Sequence, residues 1–207
     1  YERLAADLTA LLARRNKPRV LDWGCGDALS AESVAKACGE LLLYDAVPAV
    51  QQRLLHRFGT NPTVKVLDMA AWDALPPASL DVIIVNSVAQ YLSPAELGTW
   101  LDRFRPLLKP DGELILADVI PPDIGMATDI LALLGPAARH GYFIAACLGL
   151  VKTFFSEYRR IRQTAGFSCY REAEIVDLLR RHEFSAERLA HNVGFNQRRM
   201  TFRARLA

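Results

Sequence analysis

Leu80-Asp81-Val82-Ile83-Ile84-Val85-Asn86 constrains this chain more than any other segment. Neighbouring residues of a strand point to opposite faces, and here both faces are apolar. Such a strand belongs in the middle of a sheet covered on both sides, as parallel sheets with helical crossovers are.

The rest of the sequence supplies those crossovers. After an opening amphipathic helix over residues 1–16, strands are predicted at 19–22, 41–45, 63–67 and 113–118. Helices fall between them at 30–37, 48–58 (Val50, Leu54 and Leu55 on one face) and 93–108. The last opens with Ser93-Pro94-Ala95-Glu96, in which Ser93 caps, Pro94 takes the first helical position and Glu96 completes a capping box. Lys109-Pro110-Asp111-Gly112 reads as a turn. A helix at 171–182, with Ile175, Leu178 and Leu179 inward, precedes two closing strands at 188–191 and 200–206. Alternation of this kind implies a doubly wound α/β domain. Residues 121–165 interrupt it with two apolar helical patterns, too long for an ordinary connection, and form a helical insertion or lid within one domain of 207 residues.

Composition narrows the function classes. The net charge is only +2, and the arginines are dispersed enough that no nucleic-acid footprint is expected. The four cysteines form no CxxC pair and no Cys/His cluster at metal spacing, so no metal is expected and a reducing, cytoplasmic setting is. The opening helix does not read as a secretory leader. The longest apolar run, residues 142–151, is about half of what spans a bilayer.

Chemistry concentrates at Val20-Leu21-Asp22-Trp23-Gly24-Cys25-Gly26-Asp27-Ala28, the first strand-to-helix junction. Glycines there let the backbone turn tightly and approach a ligand. A dinucleotide site wants a third small residue where Leu29 stands, and Asp22 and Asp27 would repel a pyrophosphate. The same carboxylates favour a cationic ligand such as S-adenosylmethionine (SAM). Asp45 closes the second strand, 19 positions beyond Gly26, where an acidic side chain meets ribose hydroxyls; a turn-forming Asp would look the same. Asp68-Met69 closes the third strand, where Asp68 either meets an adenine edge or caps the next helix.

These segments resemble motifs I to IV of the class I SAM-dependent methyltransferases, small-molecule type, over about residues 19–118. The resemblance implies a seven-stranded sheet of order 3-2-1-4-5-7-6 with the seventh strand antiparallel, and SAM as cofactor. It implies Asp22, Gly24, Cys25 and Gly26 around the methionine moiety, Asp45 with Ala46 at the ribose, and Asp68 with Met69 at the adenine. Asn86 and Ser87, opening the stretch to Tyr91, would face the sulfonium and the acceptor. A glycine frequent in the family is Ala28 here. The (Asn/Asp)-Pro-Pro-(Tyr/Phe) signature of base and amide N-methylation is absent, which points to a small-molecule acceptor.

A base is needed only if the acceptor keeps its proton until attack. Tyr91 and His140 are the first candidates, followed by Tyr142, Glu157, Tyr158 and His191, while His56 and His182 fall on outer helix faces. Three readings of the insertion stay open: extra core with a homodimer contact, a lid over an apolar or lipid-like acceptor, or peripheral membrane contact through Lys152, Arg159 and Arg160. The rival function is a non-catalytic SAM-binding or scaffold module of a larger assembly.

Overall fold

A computed structural model of the chain describes residues 1–123 and 168–207. The helical patterns expected within 121–165, with His140, Tyr142, Glu157, Tyr158 and the basic residues there, lie outside the described residues.

The described elements run α1 (Glu2–Leu12), β1 (Arg19–Trp23), α2 (Ala31–Ala35), β2 (Glu40–Tyr44), α3 (Pro48–Phe58), β3 (Val64–Leu67), α4 (Met69–Asp73), β4 (Leu80–Asn86), α5 (Pro94–Phe104), β5 (Leu108–Val119), α6 (Glu172–Arg181), β6 (Phe184–Arg188) and β7 (Met200–Leu206). The strands form one seven-stranded sheet of order β3-β2-β1-β4-β5-β7-β6. β7 runs antiparallel to both of its neighbours, and the other pairings are parallel.

The double-sided burial expected of β4 is what holds the layers together. Leu80, Ile83 and Val85 enter one core cluster, and Val82 and Ile84 enter the other. β1 divides in the same way, sending Leu21 and Trp23 to the first cluster and Val20 to the second. α1, α2 and α3 cover the second face through residues such as Leu8, Val34 and Leu54; α5 and α6 cover the first through Leu101, Phe104 and Leu179. Asp81, the polar residue in the β4 run, accepts the Arg19 backbone N–H at 2.8 Å and the Lys109 ammonium at 2.8 Å.

An aromatic group fills the first face. Trp23 lies 4.5 Å from Trp100 and 5.3 Å from Phe104 between ring centroids, and Trp72 lies 5.9 Å from Trp100. The capping box at Ser93 forms as expected: Ser93 Oγ accepts the Glu96 N–H, and Glu96 accepts the Ser93 N–H.

Four expectations need correction. β6 spans Phe184–Arg188 rather than 188–191, because buried Phe184 anchors the edge strand opposite Leu206, leaving His191 in the following loop. Lys109–Gly112 does not precede the strand but bulges from it: Leu80 pairs with Leu108 and Val82 with Glu113, so the extra residues leave the ladder. Leu55 is 52% exposed, and Phe58 completes the buried face of α3 instead. His182 is not outward: its Nδ1 lies 2.8 Å from Asp102, and its ring fills the space beside Gly98. Among the described residues, no helix is long and apolar enough to cross a membrane.

Candidate functional site

The turn after β1 is built by the end of β2. The Tyr44 carbonyl accepts the N–H groups of Gly24 at 2.8 Å and Cys25 at 3.1 Å. Asp45, one residue on and 7% exposed, accepts the Gly26 N–H at 3.0 Å and the Val47 N–H at 2.9 Å. Two conformational demands then fix the glycines. Gly24 has φ +72°, and a Cβ there would stand 2.6 Å from Val88 Cγ2; Gly26 has φ +54°, and a Cβ would meet nothing within 4 Å. The first glycine therefore serves packing, and the second opens onto space. Ala28 adopts φ +44°, a left-handed conformation that glycine would take without the penalty of about 1–2 kcal/mol.

This turn borders a cavity of about 230 Å³. Asp22, Gly24, Cys25 and Asn86 line its floor at the carboxyl ends of β1 and β4. Tyr1, at the N-cap of α1, and Leu4 and Leu8 of α1 also line the cavity. That location, where the chain crosses to opposite sides of the sheet, is where open α/β sheets bind ligands.

The polar groups in the cavity are incompletely used by the protein. Asp22 accepts no hydrogen bond from the described residues, and its carboxyl is pushed up to about 7 by burial first and the negative charge of Asp45 second. Asn86 Oδ1 is buried without a hydrogen-bond partner among the described residues. A buried acceptor left this way costs about 1–3 kcal/mol, so it suits a site completed by a ligand donor. Among the described residues, no lysine or arginine lines the cavity. Burial and then the charges of Asp22 and Asp45 push the Cys25 thiol up, which keeps it protonated and argues against a nucleophilic role.

The remaining expected residues separate into distinct roles. Asp27 borders the cavity, but its carboxylate is engaged by Arg53 at 2.7 Å, so it adds less negative charge than its sequence position suggests. Asp45 is a structural clamp on the turn; two of its roughly four acceptor positions are occupied by backbone N–H groups. Asp68 is exposed and caps α4, accepting the Ala71 N–H at 2.8 Å. Met69 is 49% exposed, with its sulfur 3.7 Å from the Tyr44 hydroxyl. Ala46 is exposed at the same sheet edge. Ser87, with φ +59°, donates its hydroxyl to Asp118 at 2.7 Å. Tyr91 is half-buried at the end of a short 3-10 turn. The cavity thus brings Asp22, Gly24, Cys25 and Asn86 together, while Gly26, Asp45, Ala46, Asp68, Met69, Ser87 and Tyr91 lie outside its lining.

Sequence reasoning missed the contribution of α1. Leu4 and Leu8 have helical spacing and advertise an apolar face, but nothing in that periodicity says that the face borders a cavity. It also missed the polar group at the ends of β4 and β5, where Asp118 joins Ser87, Asn192 and Arg199. Asp118 ends a predicted strand, and that position was the available signal.

The sheet order, the antiparallel β7 and a cavity beside the first crossover define the class I methyltransferase architecture. Residues 20–112 match the family described as a methyltransferase domain. The fold is that of the class I methyltransferases, and the stretch that carries β1 to the start of β5 is similar to their methyltransferase domain. No match was found among curated protein sequences.

Solved structures share the fold. The mitomycin 7-O-methyltransferase MmcR superposes with a TM-score of 0.65 at 16% identity, over 98% of this chain and 54% of that one. A 1,6-didemethyltoxoflavin-N1-methyltransferase from Burkholderia thailandensis, solved with 1,6-didemethyltoxoflavin and S-adenosylhomocysteine, gives 0.60 at 18% identity, over 99% and 78%. A SAM-dependent methyltransferase from Aquifex aeolicus gives 0.62 at 15% identity, over 98% and 88%. The chain therefore spans about half of MmcR but most of the other two.

Proposed function

We propose that this protein transfers the methyl group of SAM to a small-molecule acceptor. The observation that carries the reading is the cavity floor: among the described residues, the Asp22 carboxyl and the Asn86 oxygen have no hydrogen-bond partner and no cationic side chain lines the cavity. Such a floor suits a ligand that is itself a cationic hydrogen-bond donor, and it disfavours a diphosphate.

The residues fit the cofactor. Asp22 and Asn86 would meet the charged methionine end, and Gly26, with no side chain, would leave open space beside Cys25. Asp45 and Ala46 stand at the edge of β2 for the ribose, and Asp68 with Met69 stand at the edge of β3 for the adenine. When bound, SAM supplies a methyl group on a positively charged sulfur, already joined to a good leaving group.

The work left to this chain is alignment and exclusion of water. Leu4 and Leu8 place apolar surface against the cavity, which strengthens the attraction of Asp22 for positive charge. Fixed orientation of two reactants lowers a barrier by about 7–11 kcal/mol in favourable cases. The stretch from Asn86 to Tyr91 would face the acceptor, with Tyr91 a candidate for receiving its proton. Two structural neighbours are methyltransferases of mitomycin and of 1,6-didemethyltoxoflavin, and the missing Pro-Pro signature agrees with a small-molecule acceptor.

Calorimetric titration with SAM and S-adenosylhomocysteine, followed by mass spectrometry of a metabolite pool incubated with isotopically labelled SAM, tests the proposal. Binding of both and a labelled product are expected. Binding without any labelled product across many acceptors would favour a non-catalytic module. Thermal stabilisation by NAD but not by S-adenosylhomocysteine would overturn the proposal.

A further inference from the structure

The loop between β6 and β7 bonds to the end of β5 and to α1 without lining the cavity. At one end, Asn192 is 4% exposed and its side chain is fully engaged. Its Nδ2 donates to Asp118 Oδ1 at 3.1 Å and the Asn196 carbonyl at 3.0 Å, while its Oδ1 accepts the Asp118 N–H at 3.2 Å and the Thr201 hydroxyl at 2.7 Å. Asp118, also paired with Arg199, holds the Ser87 hydroxyl at the next strand end. Ser87 and Asp118 both occupy the left-handed region, at φ +59° and +61°, a strain that persists only where surrounding bonds over-determine the backbone. This end of the loop is rigidly fixed to the sheet.

At the other end, the Gly194 N–H donates to Asp7 Oδ2 of α1 at 2.8 Å. Gly194 reaches that position with φ +92°, which a side-chain-bearing residue would rarely adopt. One turn earlier on α1, Arg3 lies 3.9 Å from Asp7 and places its guanidinium 5.7 Å from the Phe195 ring centroid. Val193 is buried in the same core cluster as Ala5, Leu8 and Leu12 of α1. Asp7 itself does not line the cavity; Leu4 and Leu8 on the same helix do, with Tyr1 at its N-cap.

We infer that the Asp7–Gly194 bond is a clasp that fixes α1 as the closing wall of the cavity, making Asp7 a positioning residue for the adenosyl ligand. The inference rests on the SAM reading above. The clasp refers the wall to the same anchor, Asn192 with Asp118, that sets the ends of β4 and β5. A ligand held between floor and wall binds with an apparent affinity reduced by the fraction of molecules whose wall is out of place.

S-adenosylhomocysteine is the probe, in calorimetry on the whole chain. Asp7→Ala is expected to weaken its binding by about tenfold, the scale of one charge-assisted bond to backbone. Asp7→Asn keeps an acceptor oxygen and is expected to bind within about twofold of wild type. In hydrogen exchange, the probe should slow the amides of residues 2–12 in the wild type and slow them less in Asp7→Ala. Equal affinity for all three proteins overturns the clasp, as does an Asp7→Asn defect as large as that of Asp7→Ala. Should Asp7→Ala fail to fold, absence of probe-dependent slowing over 2–12 in the wild type overturns it as well. No binding by any of the proteins overturns the SAM reading, and the clasp with it.

Discussion

Asp22 makes ligand binding depend on pH in a calculable way. Burial and the neighbouring Asp45 raise its carboxyl from an ordinary 3.8 to about 7. Ionised Asp22 attracts a cationic ligand, and the protonated form does not, so the binding-competent fraction of the free protein follows this titration. With a midpoint near 7, about one molecule in a hundred is ionised at pH 5, and nearly all are at pH 8. If the bound cation lowers the carboxyl below 5, the dissociation constant for SAM falls by about a hundredfold between those pH values. Stability of the ligand-free protein runs the opposite way. A carboxyl raised by folding binds its proton more tightly in the native state, so its contribution is complete below pH 4 and lost as pH rises through 7. The ceiling is about 4 kcal/mol, from about three pH units at 1.36 kcal/mol each. Calorimetric titrations of SAM at half-unit steps from pH 5 to 8, run alongside Asp22→Asn, provide the assay. The wild type should show the slope together with proton release, and the variant should be flat. An affinity that changes by less than about threefold over the range, or a slope that survives in Asp22→Asn, would refute the reasoning.

Substitutions separate packing from ligand contact elsewhere in the turn. Gly24→Ala forces a Cβ to within 2.6 Å of Val88 at a positive φ, and chemical denaturation should show a loss of about 2–4 kcal/mol. Gly26→Ala meets no protein atom within 4 Å, so denaturation should show only the backbone cost of about 1 kcal/mol while SAM affinity falls more steeply. Asp45→Ala leaves the N–H groups of Gly26 and Val47 without their acceptor and should cost about 1–3 kcal/mol of stability before any ligand is added, as denaturant midpoints will report. Asn86→Ala removes an orphaned acceptor, so the apo protein should be no less stable while calorimetry shows SAM binding weakened by about tenfold.

Legibility of the sequence followed the range of the physics involved. β4 was readable because its composition leaves no polar face, and α5 was readable because Ser93, Pro94 and Glu96 act on one another within one turn. The strand order came from resemblance, since nothing local in β7 specifies its antiparallel neighbours. β6 slipped by several residues because an edge strand needs only one buried anchor, Phe184, and its alternation is correspondingly weak. Within the candidate site, Asp22 and the two glycines could be located from their place at the end of the first strand and in the turn that follows it. The dual burden on Asp45 could not, because the N–H groups that occupy it belong to Gly26 and Val47 rather than to a ligand. Nor could Arg53 be matched with Asp27, since their pairing depends on how α3 lies against the turn. The part of α1 in the cavity was equally hidden, because periodicity identifies a face and not what it covers.

The aromatic group beneath the turn has a practical consequence. The chain contains three tryptophans, and all three, Trp23, Trp72 and Trp100, meet in that group. Trp23 is bonded directly to Gly24. Intrinsic emission from this protein therefore originates at a single point under the ligand-facing backbone, with the three indoles close enough to exchange excitation. Events at the mouth of β1 can be followed optically in the unlabelled protein.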